Sequence, residues 1–219
     1  MKTRIVTALM AGLSLFFMSY DIEAALLNSE LVINGGAETA NTTGWVSTGV
    51  NAVPVDNYSS GFGSFVFTGG TGSRIQTLFQ SIDLSANAEQ IEEGGLVSSF
   101  SIYLQQRSDR VNLDQARVDV SFLDGAGAIL DSYSFEDVVD IGVFDWNYFS
   151  DSRLVTAGTR SVDILLTASR TGGVRTDAFF DEISFQISAV PVPGAVLLFI
   201  SGLAVFVGFK NRKNTLNSK

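Results

Sequence analysis

The sequence predicts an all-β fold in which two antiparallel sheets pack face to face as a sandwich. Three observations lead there. Apolar and polar residues alternate with period two in six separate stretches, the pattern of strands with one face buried. Clusters of Gly, Asn, Asp and Ser divide these stretches, as turns require. No long segment repeats with helical period. Strands of this kind each carry one apolar face, and two sheets bury those faces most simply against each other.

The strands follow in chain order. "GSFVFTG" (63–69) is the first clear alternation, and Gly69-Gly70-Thr71-Gly72 ends it. Residues 85–94, "SANAEQIEEG", predict a single turn of helix. "VSSFSIYLQQ" (97–106) and "ARVDVSFLDG" (116–125) are the next two strands. Asp124-Gly125-Ala126-Gly127 joins the second of these to "AILDSYSF" (128–135) and predicts a hairpin. "RSVDILLTAS" (160–169) and "AFFDEISFQIS" (178–188) complete the set.

The two ends of the 219-residue chain have a different character. Lys2 and Arg4 precede an apolar stretch, Ile5–Tyr20, and Ile22-Glu23-Ala24 before Ala25 is a small-residue cleavage site. Residues 1–24 therefore read as a signal peptide, with a retained anchor as the alternative. Residues 25–188 then form a single domain, of a size that buries one good core. This domain holds 21 Asp and Glu against eight Arg and no Lys, a net charge of −13. It offers no basic stripe to follow a phosphate backbone, so nucleic acid is not an expected partner. The acidity suits an exported protein and supplies oxygen ligands for hard cations. The absence of Cys excludes disulfides, thiolate metal sites and thiol nucleophiles. The absence of His excludes Ser-His-Asp triads and histidine zinc sites. Any hydrolase here would work with carboxylates alone.

"LVINGGAETANTTGW" (31–45) opens the domain and "DAFFDEISF" (177–185) closes it. Together they resemble the galactose-binding-domain-like jelly rolls, which include several carbohydrate-binding module families. "FQSIDLS" (79–85), "ARVDVSFLDGAGAIL" (116–130) and "VTAGTRSVDILL" (155–166) resemble that group's middle strands, so the likeness covers nearly all of 31–188. The resemblance implies that the opening Glu and the closing Asp meet, and that they hold a structural calcium ion with backbone carbonyls. Calcium takes about six to eight oxygens and accepts them from distant parts of a chain. Glu38 and Asp181 are the side chains this implies, with Asn34 and Gly36 as carbonyl donors. The alternative is that Glu38 caps a turn and Asp181 is a solvated strand residue. By the same resemblance Trp45, after Gly44, belongs to the core, and Trp146 is read as core or strand edge.

Sugar sites stack exposed aromatics on pyranose faces and flank them with polar side chains. "DNYSSGFG" (56–63) and "YLQQRSDRVNLD" (103–114) have that mixture, and Tyr58, Arg107, Asp109 and Arg110 are the ligand-binding candidates within them. Ordinary polar loops are the competing reading. The pairs Glu92-Glu93, Glu136-Asp137 and Asp109 with Asp114 could serve a glycosidase only if two carboxyls faced each other across a cleft. Catalytic residues are therefore not expected. Asn41-Thr42-Thr43 and Asn57-Tyr58-Ser59 match the glycosylation sequon, which matters only in a host that uses it.

From Val192 to Phe209 the chain is apolar or small apart from Ser201, long enough for one transmembrane helix. Lys210, Arg212 and Lys213 follow, which would keep the C-terminus cytoplasmic and leave the β-domain outside. Residues 189–213 resemble the PEP-CTERM sorting signals of Gram-negative bacteria: Val190-Pro191-Val192-Pro193-Gly194, then an apolar helix, then a basic cluster. Val192 stands where that family's eponymous Glu lies, as in its Val-Pro-x-Pro variants. The resemblance implies an exosortase-type protease as partner, a transient inner-membrane intermediate, and delivery to the cell surface or extracellular matrix. A tail anchor that is never cut is the alternative. The expected function is that of an exported, non-enzymatic sandwich that binds extracellular polysaccharide. A purely structural envelope protein and a carboxylate-dependent glycan hydrolase are the alternatives.

Overall fold

A computed structural model describes residues 27–56, 61–106, 114–137 and 145–190. The chain divides into two units, Met1–Ala189 and Val190–Lys219, and the architecture below is that of the first. The expected signal peptide (1–24), the expected transmembrane stretch 192–209 and the residues from Pro191 to Lys213 of the expected sorting signal lie outside the described residues. Among the described residues no helix is long and apolar enough to cross a membrane.

Among the described residues, ten strands form the domain: β1 (Val46–Ser47), β2 (Asn51–Pro54), β3 (Phe65–Thr68), β4 (Ile75–Asp83), β5 (Leu96–Gln106), β6 (Asp114–Leu123), β7 (Ile129–Glu136), β8 (Asn147–Leu154), β9 (Ser161–Arg170) and β10 (Ala178–Ala189). One sheet has the order β1-β4-β9-β6-β7 and the other β2-β3-β10-β5-β8. Every pairing is antiparallel. The chain passes repeatedly from one sheet to the other, in the manner of a jelly roll. Between β4 and β5 lie a 3-10 turn (Ser85–Asn87) and the short helix α1 (Ala88–Glu92), where the sequence predicts one helical turn.

The core fills the space between the sheets. Val118, Val120 and Phe122 of β6 and Ile164 and Leu166 of β9 meet Phe100, Ile102 and Leu104 of β5 and Phe185 of β10. Phe122 and Phe185 stand 6.3 Å apart across the interface. Each such ring or aliphatic side chain contributes about 1.5–3 kcal/mol on burial. Trp45 is buried and packs edge-on against Phe67 at 5.9 Å, in agreement with its expected core role.

The 124–127 hairpin forms as its residues predict. The Asp124 carboxylate accepts the N–H groups of Ala126 and Ala128, both at 2.8 Å, and so builds the turn. Four strands, β1, β2, β4 and β8, are not among the six predicted alternations. β8 points Phe149, Asp151 and Arg153 inward, so its buried side is mostly charged.

Strand β10 changes face part-way. Its inward residues are Ala178 and Phe180 before a bulge, and Ile183, Phe185 and Ile187 after it. Glu182 lies at the bulge with φ of 49°, in the left-handed region that few residues other than glycine adopt. The opening loop docks on this irregularity. Gly35 accepts the Ile183 N–H at 3.2 Å, and a Cβ at Gly35 would lie 1.9 Å from the Ile183 carbonyl oxygen. Only glycine lets the two backbones come so close.

Candidate functional site

The outward face of the β2-β3-β10-β5-β8 sheet holds a pattern that register makes visible. Strand β5 carries Ser99, Ser101 and Tyr103 on this face, and β8 carries Tyr148, Ser150 and Ser152. The antiparallel register sets Ser99 opposite Ser152, Ser101 opposite Ser150 and Tyr103 opposite Tyr148. Ser184 and Gln186 of β10 extend the two serine rows, since they pair with Ser101 and Ser99. The short side chains leave a groove of about 370 Å³, floored by these serines with Gln186 and walled by Tyr148.

Aromatic rings close one end of the groove. Tyr103 and Tyr148 are 5.0 Å apart, Phe62 is 4.4 Å from Tyr103, and Trp146 is 5.5 Å from Phe62. Tyr148 is 56% exposed and Phe62 36%, so both offer ring surface to a ligand. Gln105 and Phe179, beyond the tyrosine row, are buried, and the open face therefore runs from the tyrosines toward Ser99 and Ser152. Asp151 borders the groove, but its side chain turns inward, where Arg153 holds the carboxylate through bonds of 2.6 and 2.8 Å. The groove is thus a field of hydroxyls and one amide beside an aromatic platform. Such a surface stacks on C–H faces and exchanges hydrogen bonds with hydroxyl groups.

A second cluster lies next to Phe62. The Asp181 carboxylate is fully buried and accepts the N–H of Phe62 at 2.7 Å and that of Glu182 at 2.8 Å. Glu38 accepts the N–H groups of Ser64 and Phe65 at 2.9 and 3.0 Å. Gly36 lies between these acids. A Cβ there would stand 3.5 Å from Glu182 Oε1, 3.7 Å from Asp181 Oδ1 and 3.8 Å from Glu38 Cγ. Burial pushes the Asp181 carboxyl up to about 7; its two backbone hydrogen bonds pull the other way, and the Glu182 and Glu38 charges add to the rise. Among the described residues no three carboxylates converge into a ready-made metal cage.

The structure therefore brings Glu38, Asp181 and Gly36 together, and adds Glu182, which sequence reasoning did not single out. The Asn34 side chain does not join them. Its amide spans the opening loop, donating to the Asn41 carbonyl and accepting from Thr39 N–H. Its backbone carbonyl accepts the Ala37 N–H at 3.3 Å. Tyr58, Arg107, Asp109 and Arg110 lie outside the described residues. Phe62 and Tyr103 belong to the same two stretches as those candidates, and Tyr148 lies outside both. Four of the carboxylates considered for hydrolysis have other engagements, and Asp109 lies outside the described residues. Glu92 pairs with Arg160 at 2.7 Å, Glu136 with Arg117 and Gln115, and Asp137 accepts from Asn147 at 2.7 Å. Asp114 is buried and accepts the Asp177 N–H.

Fold and face together define a two-sheet β-sandwich with an aromatic and hydroxyl-lined sheet surface. No protein-family model matches the sequence, and no curated protein does. Among solved structures, the chain is similar to the enzymatically active domain of tailspike protein 4 of bacteriophage CBA120. That match has a TM-score of 0.50 at 17% identity, covering 72% of this chain and 21% of that one. The CBM22-1 xylan-binding domain of Paenibacillus barcinonensis Xyn10C matches at a TM-score of 0.46 and 15% identity, over 77% of this chain and all of that domain. A family 16 carbohydrate-binding module matches at 0.42 and 18% identity, over 71% of this chain and 98% of that module. The chain spans about a fifth of the tailspike fragment, and the likeness to it is one of fold alone.

Proposed function

We propose that this chain is an exported, non-enzymatic glycan-binding protein whose ligand lies along the serine groove and stacks on the Tyr103–Tyr148–Phe62 platform. The continuity of that platform with the groove carries the reading. Pyranose rings present apolar faces and hydroxyl edges, and this surface offers a partner for each. The ligand is a neutral polysaccharide: among the described residues the one charged residue at the groove, Asp151, turns inward to Arg153, and a domain of net charge −13 repels polyanions.

Calcium at Glu38 and Asp181 belongs to the same proposal. A fully buried carboxyl with two acidic neighbours and a raised proton affinity gains most from a cation, and Gly36 leaves backbone room beside it. The ion would draw ligands from Glu38, Asp181 and nearby carbonyls, and would stabilise the fold. Export and sorting rest on the sequence: the N-terminal signal, the Val-Pro-x-Pro tail and the basic cluster imply exosortase processing and release to the cell surface or matrix of a Gram-negative bacterium.

The test is retention of the purified chain on a panel of insoluble polysaccharides. Wild type is retained by at least one neutral glycan, and Tyr148→Ala weakens that retention roughly three- to tenfold. Retention by none ends the glycan reading.

A further inference from the structure

Phe62 differs from the other aromatic members of the platform. Tyr103 and Tyr148 stand on paired central and edge strands, whereas Phe62 precedes β3 in irregular backbone. Its position is fixed instead by two acids from opposite ends of the domain. The Phe62 N–H donates to Asp181 at 2.7 Å, and the Ser64 and Phe65 N–H groups donate to one oxygen of Glu38 at 2.9 and 3.0 Å. Gly63, between them, has φ of +85°, and a Cβ there would lie 2.4 Å from Glu38 Oε1. The 62–65 backbone is therefore wrapped closely around these carboxylates, and the Phe62 ring projects from the wrapped segment onto Tyr103.

We propose that Glu38 and Asp181 are positioning residues for the ligand face. As hydrogen-bond acceptors they hold the 62–65 backbone, and through it they keep the Phe62 ring in the platform. The consequence for binding rests on the glycan reading above; the anchoring itself does not. An acid that merely stabilised the sandwich would lower its melting point without acting through Phe62.

The experiment uses the full chain in mild detergent with Trp45→Phe, which keeps a ring against Phe67 and makes Trp146, next to Phe62, the only tryptophan. Acrylamide quenching of Trp146 is compared in Glu38→Ala, Phe62→Ala and the double variant, with far-ultraviolet dichroism as the check on folding. Glu38→Ala is expected to expose Trp146 as much as Phe62→Ala does, and the double variant no further. In the presence of a chelator, so that no bound cation contributes, Glu38→Gln, whose amide oxygen still accepts both N–H groups, is expected to match wild type in quenching. Retention on the polysaccharide that wild type binds should fall by the same roughly three- to tenfold in either single variant and in the double. Unchanged quenching in a folded Glu38→Ala, additive losses, or a Glu38→Gln as exposed as Glu38→Ala would each overturn the proposal. A wild type that binds no polysaccharide defeats the glycan reading, while the quenching series still decides the anchoring.

Discussion

Asp181 and Arg153 show how single side chains set the behaviour of this domain. The folded-state value of Asp181, about 7, lies above the ordinary 3.8, so its ionisation is harder in the folded chain than in the unfolded one. Its contribution to stability is present at low pH and is lost as pH rises from about 4 to about 7. Asp151 and Asp83 act in the opposite direction. Hydrogen bonds from Arg153 and from Ser85 hold these two carboxyls below the usual range, so the stability they add is lost as pH falls below about 4. Metal-free protein should therefore melt highest near pH 4–5 and lower toward pH 7, and Asp181→Asn should flatten the decline. Thermal melts across that range check it. Arg153 is the other case. Its guanidinium bridges Asp151 at 2.6 Å and Asp131 at 2.9 Å and lies 4.0 Å from the centre of the Tyr133 ring. Arg153→Met leaves the two acids unpartnered between the sheets. Because the cluster is partly solvated, the expected loss is about 1–2 kcal/mol in urea denaturation, shrinking at low pH as Asp151 protonates.

At the scale of elements, β7 and β8 form one open side of the sandwich, each at the edge of its sheet. Long edge strands invite pairing with other chains, and inward-pointing charges are a known defence. Asp131, Asp151 and Arg153 supply such charges here. The same device hid β8 from sequence reading, since its buried positions do not look apolar. β1 and β2 were hidden for a simpler reason: at two and four residues they are too short to show a period. Most of the longer strands were legible because their inward residues are plainly apolar, as Val118, Val120 and Phe122 are in β6; β4 was not, because buried Gln76 and Gln80 interrupt its apolar face. The proposed ligand face was not, because an outward run of Ser and Tyr looks like any solvated strand face. Its one sequence signal is a mirrored pattern, Ser99-x-Ser101-x-Tyr103 against Tyr148-x-Ser150-x-Ser152, which acquires meaning only with the register. Filling that recess tests its role: Ser101→Trp should abolish polysaccharide retention while changing the denaturation midpoint little, as befits a half-exposed position.

Across the whole molecule, residues far apart in sequence meet at one place. Glu38 near the start and Asp181 near the end flank the segment that carries Phe62, and the opening loop docks on the β10 bulge through Gly35. This juxtaposition was foreseen from the family resemblance of the domain's two ends; what the acids hold in place was not. A cation bound there would tie the ends of the domain together. Calcium is therefore expected to raise the melting temperature and a chelator to lower it, with neither effect in Glu38→Ala. An identical melt in all conditions would remove the ion from the account.

Affinity gel electrophoresis decides whether the proposed sheet face binds neutral glycan. Wild type, Tyr148→Ala and Ser101→Trp are run through gels that contain soluble neutral or anionic polysaccharides. The expected result is retardation of wild type by a neutral polymer, weaker retardation of Tyr148→Ala and none of Ser101→Trp. Equal mobility of all three in every gel, or retardation that survives Ser101→Trp, would contradict it.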